Sequence, residues 1–274
     1  MNRPASTIVE IGHINVNIPN QATAIAFYVT ALGLTRDPEA MTSTGNMWIN
    51  VGSSQFHLPS RCPTQRHRGT VGLVIPGVIS SRDKLLQRLR HAQDALHGTL
   101  FLFEEADECV LVQCPYGNRI RLHPPSHQLL GAAALGMAYI EFDVPPGTAK
   151  HIGSFYRNVI CAAVDVGEGQ GSSVRVLCGQ HQALIFREVD AALPAYDGYH
   201  VMLTLSDFPA IFRRLHDLHL ITRGSVHEEE YRFTDIVNAD DGRVLFQVEH
   251  ECRSMQHALY GRPLVNSGVA VDDN

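Results

Sequence analysis

The strongest constraint on this chain is a repeat at about half its length. IGHINVNIP (11–19) followed by AFYVTALGL (26–34) has a counterpart in MAYIEFDVP (137–145) followed by SFYRNVICA (154–162). A repeated unit that cannot bury its own apolar face must stack or pair with its neighbours. In both copies the first stretch is rich in β-branched residues and ends at a proline, as a strand entering a turn does. The second reads as an amphipathic helix. Its Phe27-Tyr28 and Phe155-Tyr156 pairs fall on the buried face, with Leu32 and Ile160 four or five positions on.

Each half repeats the plan once more, less clearly. TVGLVIPG (70–77) is a strand, SSRDKLLQRLRHAQDALHG (80–98) a helix opened by Ser and closed by Gly, and three strands follow. GYHVMLTLSD, FPAIFRRLHDLHL, YRFTDIVNADDG and RVLFQVEH form the matching unit of the second half. The expected fold class is α+β: four βαβββ units, A (8–60), B (69–125), C (136–190) and D (198–250). PYGNRI (115–120) and DDGRVL (240–245) are tight turns before a closing strand, with Gly taking the positive φ. The expected domains are 1–125 and 136–254, joined by a linker at 126–135 and followed by a loosely held or late-packing tail, 255–274.

A hydrophobic share of 45% against 18% charged residues supplies core for two such domains. The net charge of −6 and the scattered basic residues disfavour nucleic acid as a partner. No signal-peptide or membrane-length apolar run occurs, and six cysteines without a CxxC pair suit reduced, mostly buried thiols, so a cytoplasmic location is expected. The absence of GxGxxG, GxxxxGK[ST] and GxSxG sets aside nucleotide cofactors and serine hydrolysis. His227 with Glu228, Glu229 and Glu230 lacks the HExxH spacing and reads as a solvated charge run, and His216 and His219 share a helix face expected to lie in solvent.

The phrases GHINVNIP with AFYVTALGL, MWINVGSSQFHLP, YHVMLTL and PYGNRIRL, in that order over about 240 positions, resemble the vicinal oxygen chelate superfamily: glyoxalases, bleomycin-resistance proteins and extradiol dioxygenases. The resemblance implies curved mixed sheets with metal ligands on the first and last strands of each unit. Those positions hold His13 and His57 in A, Thr70 and Arg121 in B, Tyr139 and either Ile185 or Phe186 in C, and His200 and Phe246 in D. Only the three histidines suit a divalent metal such as Fe, Mn, Zn or Ni. They meet in one cup if A pairs with D, as in fused two-domain glyoxalases, and are split if A pairs with B, as in extradiol dioxygenases. The distribution favours A with D.

The resemblance also implies a glutamate four residues past the last turn glycine, where Phe246 stands after Gly242. Gln247 and Glu249 alternate onto the opposite face and would ligate only through a bulge. Glu249, Tyr139 or hydroxide is then left to take a proton, and Arg121 is a candidate to grip a substrate carboxylate or phosphate. Two functions follow as expectations. One is a metal-dependent lyase, isomerase or dioxygenase acting on a small substrate with two adjacent oxygens; the other is a metal-free ligand-sequestering protein of the bleomycin-resistance kind. A monomer or homodimer would suit either.

Overall fold

Each unit forms one βαβββ module in the computed structural model, which describes residues 6–40, 45–76, 82–125, 129, 131, 133–166 and 172–266. Ser80 at the expected helix start, half of the 126–135 linker and the last residues of the tail lie outside the described residues. Module A holds β1 (Ile8–Asn15), α1 (Gln21–Ala24, continuing as a π-helical turn, Ile25–Ala31), β2 (Thr35–Arg36), β3 (Asn46–Val51) and β4 (Ser54–Pro59). Module B holds β5 (Gly69–Val74), α2 (Arg82–Ala95), β6 (Leu102–Glu105), β7 (Val110–Gln113) and β8 (Arg119–His123). Module C holds β9 (Gly136–Val144), α3 (Ala149–Phe155, continuing as a π-helical turn, Tyr156–Ile160), β10 (Val164–Val166), β11 (Ser173–Cys178) and β12 (Gln182–Glu188). Module D holds β13 (His200–Leu205), α4 (Phe208–Asp217), β14 (Ile221–Ser225), β15 (Glu230–Val237) and β16 (Val244–Ser254).

Two eight-stranded mixed sheets result, in the orders β14-β15-β16-β13-β1-β4-β3-β2 and β10-β11-β12-β9-β5-β8-β7-β6. Within every module the first and last strands lie side by side in parallel, and the remaining strands continue as antiparallel hairpins.

The chain separates into two compact units: Met1–Gly12 with Tyr139–Arg262, and His13–Ala138 with Pro263–Asn274. The division falls inside β1, after Gly12. In the first unit the β11–β12 turn uses Gly179 at φ 57°, and its N–H donates to Ile8 O at 2.8 Å. A Cβ there would stand 2.4 Å from the Val9 carbonyl oxygen, so only glycine fits. The β3–β4 turn of the other unit repeats the device at Gly52, beside the Leu135 carbonyl oxygen. The tail is tied down as far as Asn266: Asn50 Nδ2 donates to Val265 O, and Asn266 exchanges two hydrogen bonds with the backbone of Gly52.

The paired aromatics explain the widened helical turns. A π turn closes i→i+5 bonds, as Leu32 N to Phe27 O does here, and it lets neighbouring rings both reach the core. Phe27, Tyr28, Phe155 and Tyr156 are all buried. The six cysteines are free thiols; Cys114, Cys178 and Cys252 are buried, Cys109 is half-buried, and Cys62 and Cys161 are exposed, so half of them rather than most are buried.

His250, on the helix-facing side of β16, is fully enclosed. Its ring stacks on Phe233 with centroids 4.1 Å apart, and Tyr156 Oη lies 2.6 Å from Nε2. Burial pushes its pKa down to about 3. The unfolded chain therefore takes up this proton first, near pH 6.5, and stability that is full above that value is lost as pH falls toward about 3. His250 should contribute a slope of up to ~1.4 kcal/mol per pH unit in that window. Urea denaturation at pH 7 and pH 5 should show the slope in the wild type and a shallower one in a Tyr156→Phe/His250→Phe double variant. Equal slopes would refute the assignment.

Candidate metal centre

In the unit His13–Ala138, the parallel register of β1 and β4 sets His13 beside Gln55, Ile14 beside Phe56 and Asn15 beside His57. Side chains alternate across a strand, so Ile14 and Phe56 go to the core, where Phe56 packs on Tyr28. His13, Asn15, Gln55 and His57 then share the opposite face. On the neighbouring strand Trp48 pairs with His57 and stacks on its ring at 3.7 Å, and His13 meets Trp48 edge-on at 5.1 Å. The two imidazoles lie 5.7 Å apart, edge to face. The polar floor continues through Gln55, whose Nε2 donates to Asp37 Oδ2 and Asn50 Oδ1.

His57 is held from both sides. Asn15 Nδ2 stands 2.6 Å from Nδ1 and Asn46 Oδ1 3.3 Å from Nε2. An amide N–H donating to Nδ1 leaves the proton on Nε2, pointed at Asn46. Ligation through either nitrogen displaces one amide and leaves the other to orient the ring.

In the unit containing residues 139–262, β13 and β16 run parallel with His200 beside Glu249 and Met202 beside Glu251. His200 Nδ1 lies 3.5 Å from Glu249 Oε1, and its Nε2 lies 3.2 Å from Glu251 Oε2. Two arginines complete the cluster. Arg232 binds Glu249 Oε1 through Nη1 at 2.6 Å and Glu251 Oε2 through Nη2, and Arg253 Nη2 holds Glu251 Oε1 at 2.6 Å. The Glu251 side chain is 3% exposed and that of Glu249 28%.

This register corrects the ligand position expected at Phe246. In module A the inward residue of the last strand, His57, stands two past Gln55, the partner of His13. The same step from Glu249, the partner of His200, lands on Glu251. It lands on Arg121 in module B, as expected, and in module C it settles the choice on Ile185. Phe246 lies on the other face of β16, against Phe142 and Phe186 in the core. Its neighbour Gln247 donates to Asp235. Glu251, Arg232, Arg253 and Trp48 are thus site residues that the sequence reading missed. The alternation of Glu249, Glu251 and Arg253 along one face was the available signal for two of the four, Glu251 and Arg253.

Two candidates stand elsewhere. Tyr139, buried, lies on β9 of the second sheet next to Ala183. Arg121, half-buried, lies on β8 of that sheet. Burial, with Arg121 adding to it, pushes the nearby His123 down to about 4. Glu141, also on β9, is bound by Arg187 at 2.5 Å.

No family model and no curated protein matches the chain. Solved structures do. A protein from Bacillus subtilis, provisionally described as a dioxygenase, superimposes with a TM-score of 0.59 at 11% identity, over 95% of this chain and 92% of the other. Glyoxalase I from Zea mays superimposes with a TM-score of 0.58 at 11% identity, over 89% and 92%. At such identities the likeness is one of fold alone. Among the described residues no helix is long and apolar enough to cross a membrane.

Proposed function

We propose that the chain is a metal-dependent enzyme in which His13, His57, His200 and Glu251 hold one divalent cation, and that it acts on a small substrate with two adjacent oxygens. The observation that carries this reading is that His13, His57 and His200 each offer a ring nitrogen within 4.8 Å of the other two. Donors around one ion stand roughly 3 to 4 Å apart, so the spacing is close to what a shared cation needs. Glu251 adds the carboxylate that three neutral imidazoles lack. This donor set suits Fe, Mn, Zn or Ni.

Such a cation supplies Lewis acidity toward an enediolate or oxyanion. The protein's own share is to orient and to move protons. Asn15, Asn46 and Trp48 fix the His57 ring, and Glu249 is the base of this reading, since it is part-exposed beside His200 while Glu251 is buried. Two carboxylates in unlike environments divide in this way between charge and proton transfer. Tyr139 and Arg121, on the second sheet, take no part in it. Lyase, isomerase and dioxygenase chemistry would all use the arrangement, and the six free cysteines support a cytoplasmic home.

The alternative, a metal-free binder, is favoured by one observation: Glu251 is already neutralised by Arg232 and Arg253. Elemental analysis of protein purified without a metal-affinity tag decides between the two. About one first-row metal per chain is expected. No uptake at micromolar metal would leave the binder in its place.

A further inference from the structure

We infer that Arg232 is a latch on Glu251, occupying the carboxylate oxygen that a cation held by His200 would need, so that metal binding and the Arg232–Glu251 pair exclude one another. The inference rests on the proposed metal centre and deepens it. All of its residues belong to one compact unit, and the sheet register sets them: Arg232 is the antiparallel partner of Glu251, and Glu230 that of Arg253.

The two oxygens of Glu251 have different neighbours. Oε2 faces His200 Nε2 at 3.2 Å and accepts from Arg232 Nη2, whereas Oε1 forms an ion pair with Arg253 Nη2 at 2.6 Å. A cation between His200 and Glu251 therefore competes with Arg232 and leaves Arg253 in place. Arg253 is then a positioning residue that keeps the carboxylate aimed and charged.

Arg232 also has somewhere to go. Its Nη1 already binds Glu249 Oε1 at 2.6 Å, and its Nε and Nη2 reach Glu230 Oε1 at 3.3 and 3.2 Å. Releasing Glu251 costs this guanidinium one contact of several, which makes exchange with a cation feasible within the existing side-chain arrangement. Without such alternatives a half-buried arginine would hold its carboxylate far more firmly. The cluster as a whole carries three carboxylates, Glu230, Glu249 and Glu251, against two guanidiniums. An added cation is electrostatically welcome there.

The test is calorimetric titration of the full-length apoprotein with nickel(II), comparing wild type, Arg232→Gln, Arg232→Lys and Arg253→Gln, with thermal melts to establish folding. Arg232→Gln should bind roughly tenfold tighter and Arg253→Gln roughly tenfold weaker. Arg232→Lys keeps the charge but loses the fork, so it should also bind tighter than wild type, and it decides the matter if Arg232→Gln does not fold. Weaker or unchanged binding by the Arg232 variants overturns the latch. Equal tightening in Arg232→Gln and Arg253→Gln, with Arg232→Lys like wild type, reduces the effect to charge and also overturns it. If neither wild type nor any variant binds nickel(II), the metal centre itself fails and the latch with it; if wild type binds and the variants match it, the latch alone fails.

Discussion

Replacing His200 by Ala is expected to abolish high-affinity uptake of a first-row divalent metal. A four-ligand site of this kind is worth ~10–16 kcal/mol in all, so one ligand carries about 3–4 kcal/mol, a factor of roughly 100 to 1,000 in Kd. The fold should survive. His200 sits among charged groups rather than in the apolar core, and Phe27, Leu32, Phe155 and Leu203, which are buried, are untouched. Its removal leaves Glu249 and Glu251 still paired with Arg232 and Arg253. Equilibrium dialysis against zinc, followed by elemental analysis and a thermal melt, checks both halves of the expectation. His13→Ala and His57→Ala should behave alike. A variant that keeps wild-type metal content would remove its histidine from the centre, and retention by all three would end the metal-enzyme reading.

The modules were legible because each begins with the same phrase, an alternating strand closed by proline and followed by a helix with its aromatics buried. The histidines were legible for a related reason: His13 and His200 lie in those opening strands, and His57 in a short hairpin. Glu251 was not. The number of residues between a turn glycine and the inward-facing position depends on how long the hairpin arm is. His57 stands five past Gly52, Arg121 four past Gly117 and Ile185 six past Gly179, but Glu251 stands nine past Gly242. The long β15–β16 hairpin, irregular between Phe233 and Asp235 and between Ile236 and Val237, carries the offset. Irregularities of that kind leave little trace in composition. Arg232 was hidden for the same reason, since its partners are fixed by cross-strand register. The π turns were hidden too, because a buried aromatic pair fits an ordinary helix equally well until the hydrogen bonds are seen.

Glu251→Gln should separate the register-based assignment from the turn-based one. Losing the charge removes a ligand and is expected to weaken zinc binding about 100-fold, on the same share of ligand energy as above. It also strips Arg232 and Arg253 of their common partner. Both retain Glu230, and Arg232 retains Glu249, so the stability loss should stay near ~1–3 kcal/mol, below that of an isolated buried charge. Phe246→Ala should do the reverse. That ring packs on Phe142 and Phe186 and is 4% exposed, so truncation should cost about 3–5 kcal/mol and leave zinc affinity as it was. Glu249→Gln supplies a third contrast: as the base of the proposed reaction it should keep its metal and lose turnover. Zinc titration and urea denaturation on the three variants read all of this. If Phe246→Ala weakened binding while Glu251→Gln left it unchanged, the inward face of β16 would have been misassigned, and Glu251 would be an ion-pair partner of the two arginines and nothing more.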